Sequence, residues 1–279
     1  MNKRSLGALQ VALGAVCWSF AGVLGKWVSW NSLTQNGFRS LFGFIIFLIL
    51  SRKTRVPLTK GNLLGAIGVA GTSILFMTAN KFTSAANAIV LQYAMPIFVV
   101  LFFYLFRHQK PTRANLIAVA CMLAGVMLCS WSGLSGGGSA IGNLCGILSA
   151  LTFSLVFFCS KMEGANAVEY SLLGCALGIP FCISAFFDPE FTFTFNQMLA
   201  ALALGACFSL GYFFVSLGMN NTDAITAAIL ANLEPVLNPV WVFLFLGENP
   251  GALSILGAAI VLIAATIYSI LGVKANGNA

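Results

Sequence analysis

Apolar residues in this chain come in long unbroken runs, not in the alternation of a strand or the narrow stripe of a surface helix. Ten runs can be drawn, at about 6–27, 34–50, 63–80, 84–106, 114–131, 141–160, 168–187, 198–218, 223–246 and 251–271. A helix of about 20 residues crosses the hydrocarbon of a bilayer, so each run predicts a spanning helix. The second is the weakest, because Arg39 lies near its start. None has the dyad pattern of a barrel strand. The polar gaps are short, which forces neighbouring helices to pack antiparallel. The longest gap, Ser132 to Ala140, contains Gly136-Gly137-Gly138 and reads as a flexible linker. It divides the chain into a five-helix repeat at 1–131, a linker at 132–140 and a second five-helix repeat at 141–279.

The halves resemble one another. Sliding the chain by 139 places Asn80–Ser130 on Met219–Ser269 without a gap, and eleven of 51 positions are identical. Among them, Pro96 meets Pro235, Pro111 meets Pro250, and Leu105-Phe106 meets Leu244-Phe245. A weaker slide of 135 puts Ala15, Ser19 and Lys26 on Ala150, Ser154 and Lys161. With five spans per half, the second copy enters the bilayer from the opposite side. Inverted repeats of this kind underlie many secondary transporters. The expected fold is therefore all-α and integral to the membrane, with ten transmembrane helices as two inverted five-helix repeats around a central cavity.

Composition agrees with lipid as the solvent. Hydrophobic residues make up 59% of the chain and charged residues 8%, against about 25% charged in soluble domains. The net charge of +7 does not point to nucleic acid, because the basic residues fall in gaps between apolar runs. With the N-terminus cytoplasmic, Lys3, Arg4, Arg52, Lys53, Arg55, Lys60, Arg107, Lys110, Arg113, Lys161 and Lys274 lie inside. Lys26, Arg39 and Lys81 lie outside. This eleven-to-three bias follows the positive-inside rule and places both termini in the cytoplasm. Arg39 and Lys81 read as side chains reaching up to the outer interface, or else as cations that attract anions at the outer mouth. The Met-Asn-Lys-Arg start looks like a signal peptide, but the first run lacks a clear cleavage site and is read as a spanning helix. A bacterial cytoplasmic membrane is the expected location, with an organellar or Golgi membrane second.

The eight cysteines sit in apolar runs without C-x-x-C spacing, so they read as core residues, not as a metal or disulfide framework. His108 is the only histidine and lies in a basic loop. No metal, cofactor or catalytic site is expected, since an embedded enzyme needs a nucleophile–base pair or a metal cluster. No phosphate-binding loop is visible, so a driving force must come from gradients or partners.

One stretch carries a family resemblance. Leu233-Glu-Pro-Val-Leu-Asn-Pro-Val-Trp-Val-Phe-Leu-Phe-Leu-Gly-Glu248 is followed by Asn-Pro-Gly-Ala-Leu-Ser-Ile-Leu-Gly257. Its first-half echo runs from Gln92-Tyr-Ala-Met-Pro96 to Lys110-Pro111, with Trp18-Ser-Phe in the first helix and Arg39 in the second. This resembles the EamA-type proteins of the drug/metabolite transporter superfamily over nearly the whole chain. The resemblance implies a ten-helix fold whose cavity is lined mainly by helices 1, 3, 4, 6, 8 and 9 and opens to each side in turn. It implies transport of amino acids, other metabolites or drugs, without specifying the cargo.

Glu234 is the sharpest candidate. An acid at a helix centre costs about 2.5–3.5 kcal/mol to insert, so it should face a cavity or a partner. It reads either as a proton-coupling or amine-binding group, or as a structural carboxylate for backbone left open by Pro235 and Pro239. Asn238 and Trp241 share its helical face. Pro96, Pro235 and Pro239 are expected to bend their helices. The candidate cavity residues are Trp18, Ser19, Met77, Gln92, Phe153, Ser209, Tyr212, Ser216, Asn238 and Trp241, with Thr72 and Ser73 beside Met77. Collectively they predict a mainly neutral, aromatic-walled cavity that suits an apolar or zwitterionic solute. The predicted function is a secondary transporter of a small organic solute, exporting or exchanging it by alternating access, with protons as a candidate coupling ion. A non-transporting receptor or scaffold on the same fold is the alternative. Oligomeric state is left open by the sequence.

Overall fold

In a computed structural model, residues 3–52, 55–83, 85–129, 131, 139–246 and 251–275 are described. Every regular element among them is helical. In chain order these are α1 (Lys3–Ser19), α2 (Ala21–Trp27), α3 (Ser32–Ser51), α4 (Lys60–Phe82), α5 (Ala85–Gln92), α6 (Met95–Arg107) and α7 (Arg113–Cys129). After the linker come α8 (Ala140–Cys159), α9 (Ala167–Gly178) with a 3-10 run at Ile179–Phe187, α10 (Phe195–Met219), α11 (Ala224–Ala231), α12 (Glu234–Leu246) and α13 (Gly251–Ala275). Eight helical segments are long and apolar enough to cross a membrane. Arg113–Leu128 and Ala224–Leu237 are apolar but shorter. Of the predicted linker, Ser132–Gly138 lies outside the described residues.

Polar residues set the helix starts. Asn31 accepts from the Leu33 and Thr34 amides to cap α3, Asn166 caps α9, and Asp223 accepts from the Thr226 amide at 2.8 Å to cap α11. Each satisfies donors that the first helical turn leaves open. Prolines set the interruptions, although not as the sequence suggested. Pro96 and Pro235 do not bend a continuous helix; each is the second residue of a new one, after turns at Tyr93–Ala94 and Asn232–Leu233. A proline fits the first turn, where its missing N–H is no loss, and disfavours helix in the residues before it. The two breaks are related by the same slide of 139. At Pro239 the backbone of α12 stays helical; the side chain lies outside the described set. Pro180 turns the end of α9 into the 3-10 run for the same steric reason. The first predicted helix is divided at Phe20, where the Ser19 hydroxyl donates to the Val16 carbonyl at 2.6 Å, a back-bond that bends helices.

The packing is inverted relative to a soluble protein. Large apolar side chains cover the exterior: Phe186 is 85% exposed and Phe195 79%. Contiguous apolar surface on this scale requires a non-aqueous neighbour. Inside, large apolar side chains such as Tyr170, Phe47, Phe157 and Met95 are buried alongside small and polar residues at the helix contacts, because helices associating in lipid gain from close contact. The α1–α10 seam shows this. A Cβ on Gly14 would lie 2.7 Å from the Gly211 carbonyl, and one on Gly211 would lie 2.2 Å from Trp18. Other glycines serve the same purpose: Gly65 meets Tyr170, Gly146 meets Leu91 and Gly174 meets Val69.

Hydrogen bonds tie helix ends together at the two ends of the bundle. At one end, Asp188 accepts from the Asn31 amide at 2.8 Å, and Trp30 donates to the Thr192 carbonyl at 3.2 Å. At the other, Arg4 pairs with Asp223 at 2.8 Å. There Lys161 donates to the Met219 and Thr222 carbonyls at 2.5 and 2.9 Å. Beside them, Asn62 donates to Glu169 at 3.0 Å and accepts from the Asn166 amide at 2.8 Å.

Candidate functional site

A cavity of about 360 Å³ lies among α1, α2, α3, α4, α5, α8, α10 and the start of α12. It extends from the two helix breaks, where Tyr93, Glu234 and Pro235 line it, toward the end of the bundle where Gly25, Gln35 and Asn80 lie. Its volume is that of a small organic ligand site.

One wall is a chain of aromatic rings. Tyr93 meets Phe153 at 6.5 Å between centroids, Phe153 meets Trp18 at 5.9 Å, Trp18 meets Tyr212 at 4.8 Å, and Tyr212 meets Phe208 at 4.9 Å. All four contacts are edge-to-face, the arrangement that ring quadrupoles favour. Trp18 is fixed in place by its indole N–H, which donates to the Phe208 carbonyl at 3.2 Å. Gly211 supplies the space into which its ring fits.

Two charged groups face this wall. Glu234 stands at the first residue of α12, with the Tyr93 hydroxyl beside its carboxyl. Arg39 comes from α3. Its Nη2 donates to Asn36 at 2.6 Å and to Ser73 at 2.9 Å, and the guanidinium lies 4.2 Å from the centroid of Phe208, in cation–π range. This corrects the reading of Arg39 as an interfacial side chain. Two turns into α3, bonds to Asn36 and Ser73 draw the guanidinium inward, where an arginine in a span is expected to find polar partners. The Lys81 side chain lies outside the described set.

Trp18, Met77, Gln92, Phe153, Tyr212 and Glu234 of the sequence candidates line the cavity, as do Thr72, Ser73 and Pro235. Ser19, Ser209, Ser216 and Trp241 do not. Ser209 donates to the Ala206 carbonyl at 3.1 Å, as Ser19 does to Val16. Ser216 lies 3.4 Å from Ser171, buried between helices. Trp241 donates to Ser19 at 2.7 Å and stacks on Phe20 at 4.6 Å. These side chains tie the helices together behind the wall. Pro96 is buried at the start of α6. The Asn238 side chain lies outside the described set. Sequence reasoning missed Gln35, Asn80, Phe208 and the cavity-facing position of Arg39. Gln35 shows no periodic signal: its amide donates to the Val28 and Trp30 carbonyls, both at 2.8 Å, and so folds the α2–α3 turn.

A helical bundle with an apolar exterior around an aromatic-walled internal cavity describes a polytopic membrane protein. The chain belongs to the EamA-like transporter family, whose model matches residues 5–131 and 140–270; it is a membrane transporter of the drug/metabolite transporter superfamily. It is 26% identical over 246 residues to the "Pseudopaline exporter CntI" of Pseudomonas aeruginosa strain UCBPP-PA14, covering 83% of this chain and 84% of that one. An "Uncharacterized transporter" of Clostridium kluyveri is 27% identical over 97% of this chain and 95% of its own length. A solved crystal structure superposes with a TM-score of 0.81 at 19% identity, covering 98% of this chain and 99% of that one; at that identity the likeness concerns the fold.

Proposed function

We propose that this transporter moves a small organic solute, such as an amino acid, another metabolite or a drug-like compound, by alternating access through the cavity described above. The observation that carries this reading is the position of the cavity, at the two helix breaks that a slide of 139 relates. Discontinuous helices meeting near the centre of inverted repeats frame the sites of secondary transporters. Ten crossings in two oppositely inserted halves account for both breaks. The apolar segments Arg113–Leu128 and Ala224–Leu237 serve as the two shorter crossings, the second extended by the rest of α12.

With both termini cytoplasmic, the cavity opens toward the outside in this conformation. The inner end is held shut by the Arg4–Asp223 pair and by Lys161 on the Met219 and Thr222 carbonyls. Opening inward requires these contacts to separate while the outer ends of α1–α4 close. The exporter named among the relatives supports export or exchange as the direction, in a cytoplasmic membrane.

The test is reconstitution of the full chain in vesicles with a mixed metabolite panel, with and without a pH gradient, alongside Glu234→Gln. At least one solute is expected to move. If Glu234 couples protons, the variant loses gradient-driven accumulation and keeps exchange. A protein that moves no solute under either condition is a receptor or scaffold, and this reading fails. Loss of folding in Glu234→Gln assigns the carboxyl a structural role.

A further inference from the structure

Arg39 is held as though an anion belonged beside it. Both of its hydrogen bonds leave from Nη2. Among the described residues Nη1 makes none, and Nε is buried with no partner. The Nδ2 donor of Asn36, on the adjacent turn of α3, is also buried without a partner. A guanidinium carries five N–H donors in a fixed fork, and an unmet buried donor costs about 1–3 kcal/mol. No carboxylate among the described residues pairs with Arg39 within 4 Å, and the Arg4–Asp223 pair lies at the other end of the bundle. The remaining charge on the cavity wall is Glu234, which shares the chamber without touching the guanidinium. The arrangement is thus a cation and an anion held apart across a volume of about 360 Å³.

We propose that Arg39 is the specificity-determining residue that receives a carboxylate of the solute, while Glu234 and the Tyr93 hydroxyl receive a cationic nitrogen. The inference rests on the transport reading above and defines its substrate class as zwitterionic. Charge balance selects that class: one positive and one negative wall group leave a zwitterion neutralised at both ends. A phosphate or dicarboxylate would leave a surplus negative charge in a low-dielectric chamber. With both Nη2 hydrogens taken by Asn36 and Ser73, Nη1 is the donor left for the carboxylate, and its charge-assisted bond supplies the directionality. The Phe208 face beneath the guanidinium holds it in plane, and the bond from Nη2 to Ser73 fixes its rotation about the side-chain axis. The Trp18, Tyr212 and Phe153 rings receive the apolar part of the solute.

The experiment measures binding to the full-length protein in lipid nanodiscs by thermal stabilisation, with each standard amino acid paired with its carboxamide. The amide keeps the amine and the side chain and removes only the negative charge. At least one amino acid is expected to bind, with its amide at least about tenfold weaker, the loss of one charge-assisted bond. In Arg39→Gln the amino acid should fall to the affinity of its amide, while the amide itself changes little. In Arg39→Lys, which keeps the charge and loses the planar guanidinium, part of the preference should survive. Should Arg39→Gln not yield folded protein, Ser73→Ala provides the same comparison: freeing the guanidinium should reduce the acid-to-amide ratio. An unchanged ratio in the folded variants, or binding with no preference for the free acid, overturns the proposal. Vesicles that still transport a solute in that case leave the transport reading intact, whereas vesicles that move nothing defeat that reading itself.

Discussion

Replacing Gly211 with alanine perturbs the seam on which the site rests. The added Cβ would stand 2.2 Å from both Cδ1 and Nε1 of Trp18, a separation no real side chain tolerates. The neighbour that must yield is a rigid indole, 5% exposed, fixed by its bond to the Phe208 carbonyl and by the rings of Phe153 and Tyr212. Forcing a methyl into a packed seam costs about 1–3 kcal/mol, and loss of the indole bond adds about 0.5–1.5 kcal/mol. The expected destabilisation is about 1.5–4.5 kcal/mol. Gly25→Ala is the matched control. A Cβ there meets nothing closer than Gln35 Oε1 at 3.7 Å, so its effect should stay within about 0.5 kcal/mol. Unfolding of the purified protein in mixed detergent micelles, followed by far-ultraviolet circular dichroism, gives both values. Tryptophan emission of Gly211→Ala should shift as the Trp18 ring is displaced. If both glycine variants unfold together with the parent protein, the seam is looser than the coordinates show and the reasoning about Trp18 fails.

Two further variants test how the bundle ends are tied. Asn62 is fully buried and bonds Pro57, Glu169 and the Asn166 amide; Asn62→Ala should cost about 2–4 kcal/mol in the same unfolding assay, and a value near zero would show that the α4–α9 tie is dispensable. Asp188 is outside the spanning segments. Burial pushes its carboxyl upward, but bonds from the Asn31 amide, the Thr34 side chain and the Glu190 amide outweigh this and hold it below its ordinary value. A carboxyl depressed in the folded state contributes stability that is complete above its unfolded value, and loses it as pH falls through the folded one. The parent protein should therefore exceed Asp188→Asn in stability at neutral pH, and the gap should close below about pH 4; a gap that is constant down to acid pH would refute the assignment.

The sequence by itself determined the solvent and the helical secondary structure. Runs of apolar residues leave helices as the economical way to satisfy the backbone in lipid. Pro96 and Pro235 mark where two runs are disturbed, since a proline acts within a few residues of chain, but that each run is broken into two helices and not bent came from the structure. The aromatic wall was legible for a related reason: Trp18, Phe153 and Tyr212 are large, amphipathic or apolar groups at the centres of spans. What the tertiary structure decided was which polar groups remain available. The serines at 19 and 209 stand at helix positions as polar as any in the cavity, yet their hydroxyls close on carbonyls of their own helices. Arg39 reads from the sequence as a surface cation because it lies near a helix end. It faces the cavity because Asn36, Ser73 and Phe208, from three different helices, together offer its guanidinium a place that lipid does not. Periodicity tells which residues share a face of one helix; only the packing of several helices tells what that face meets.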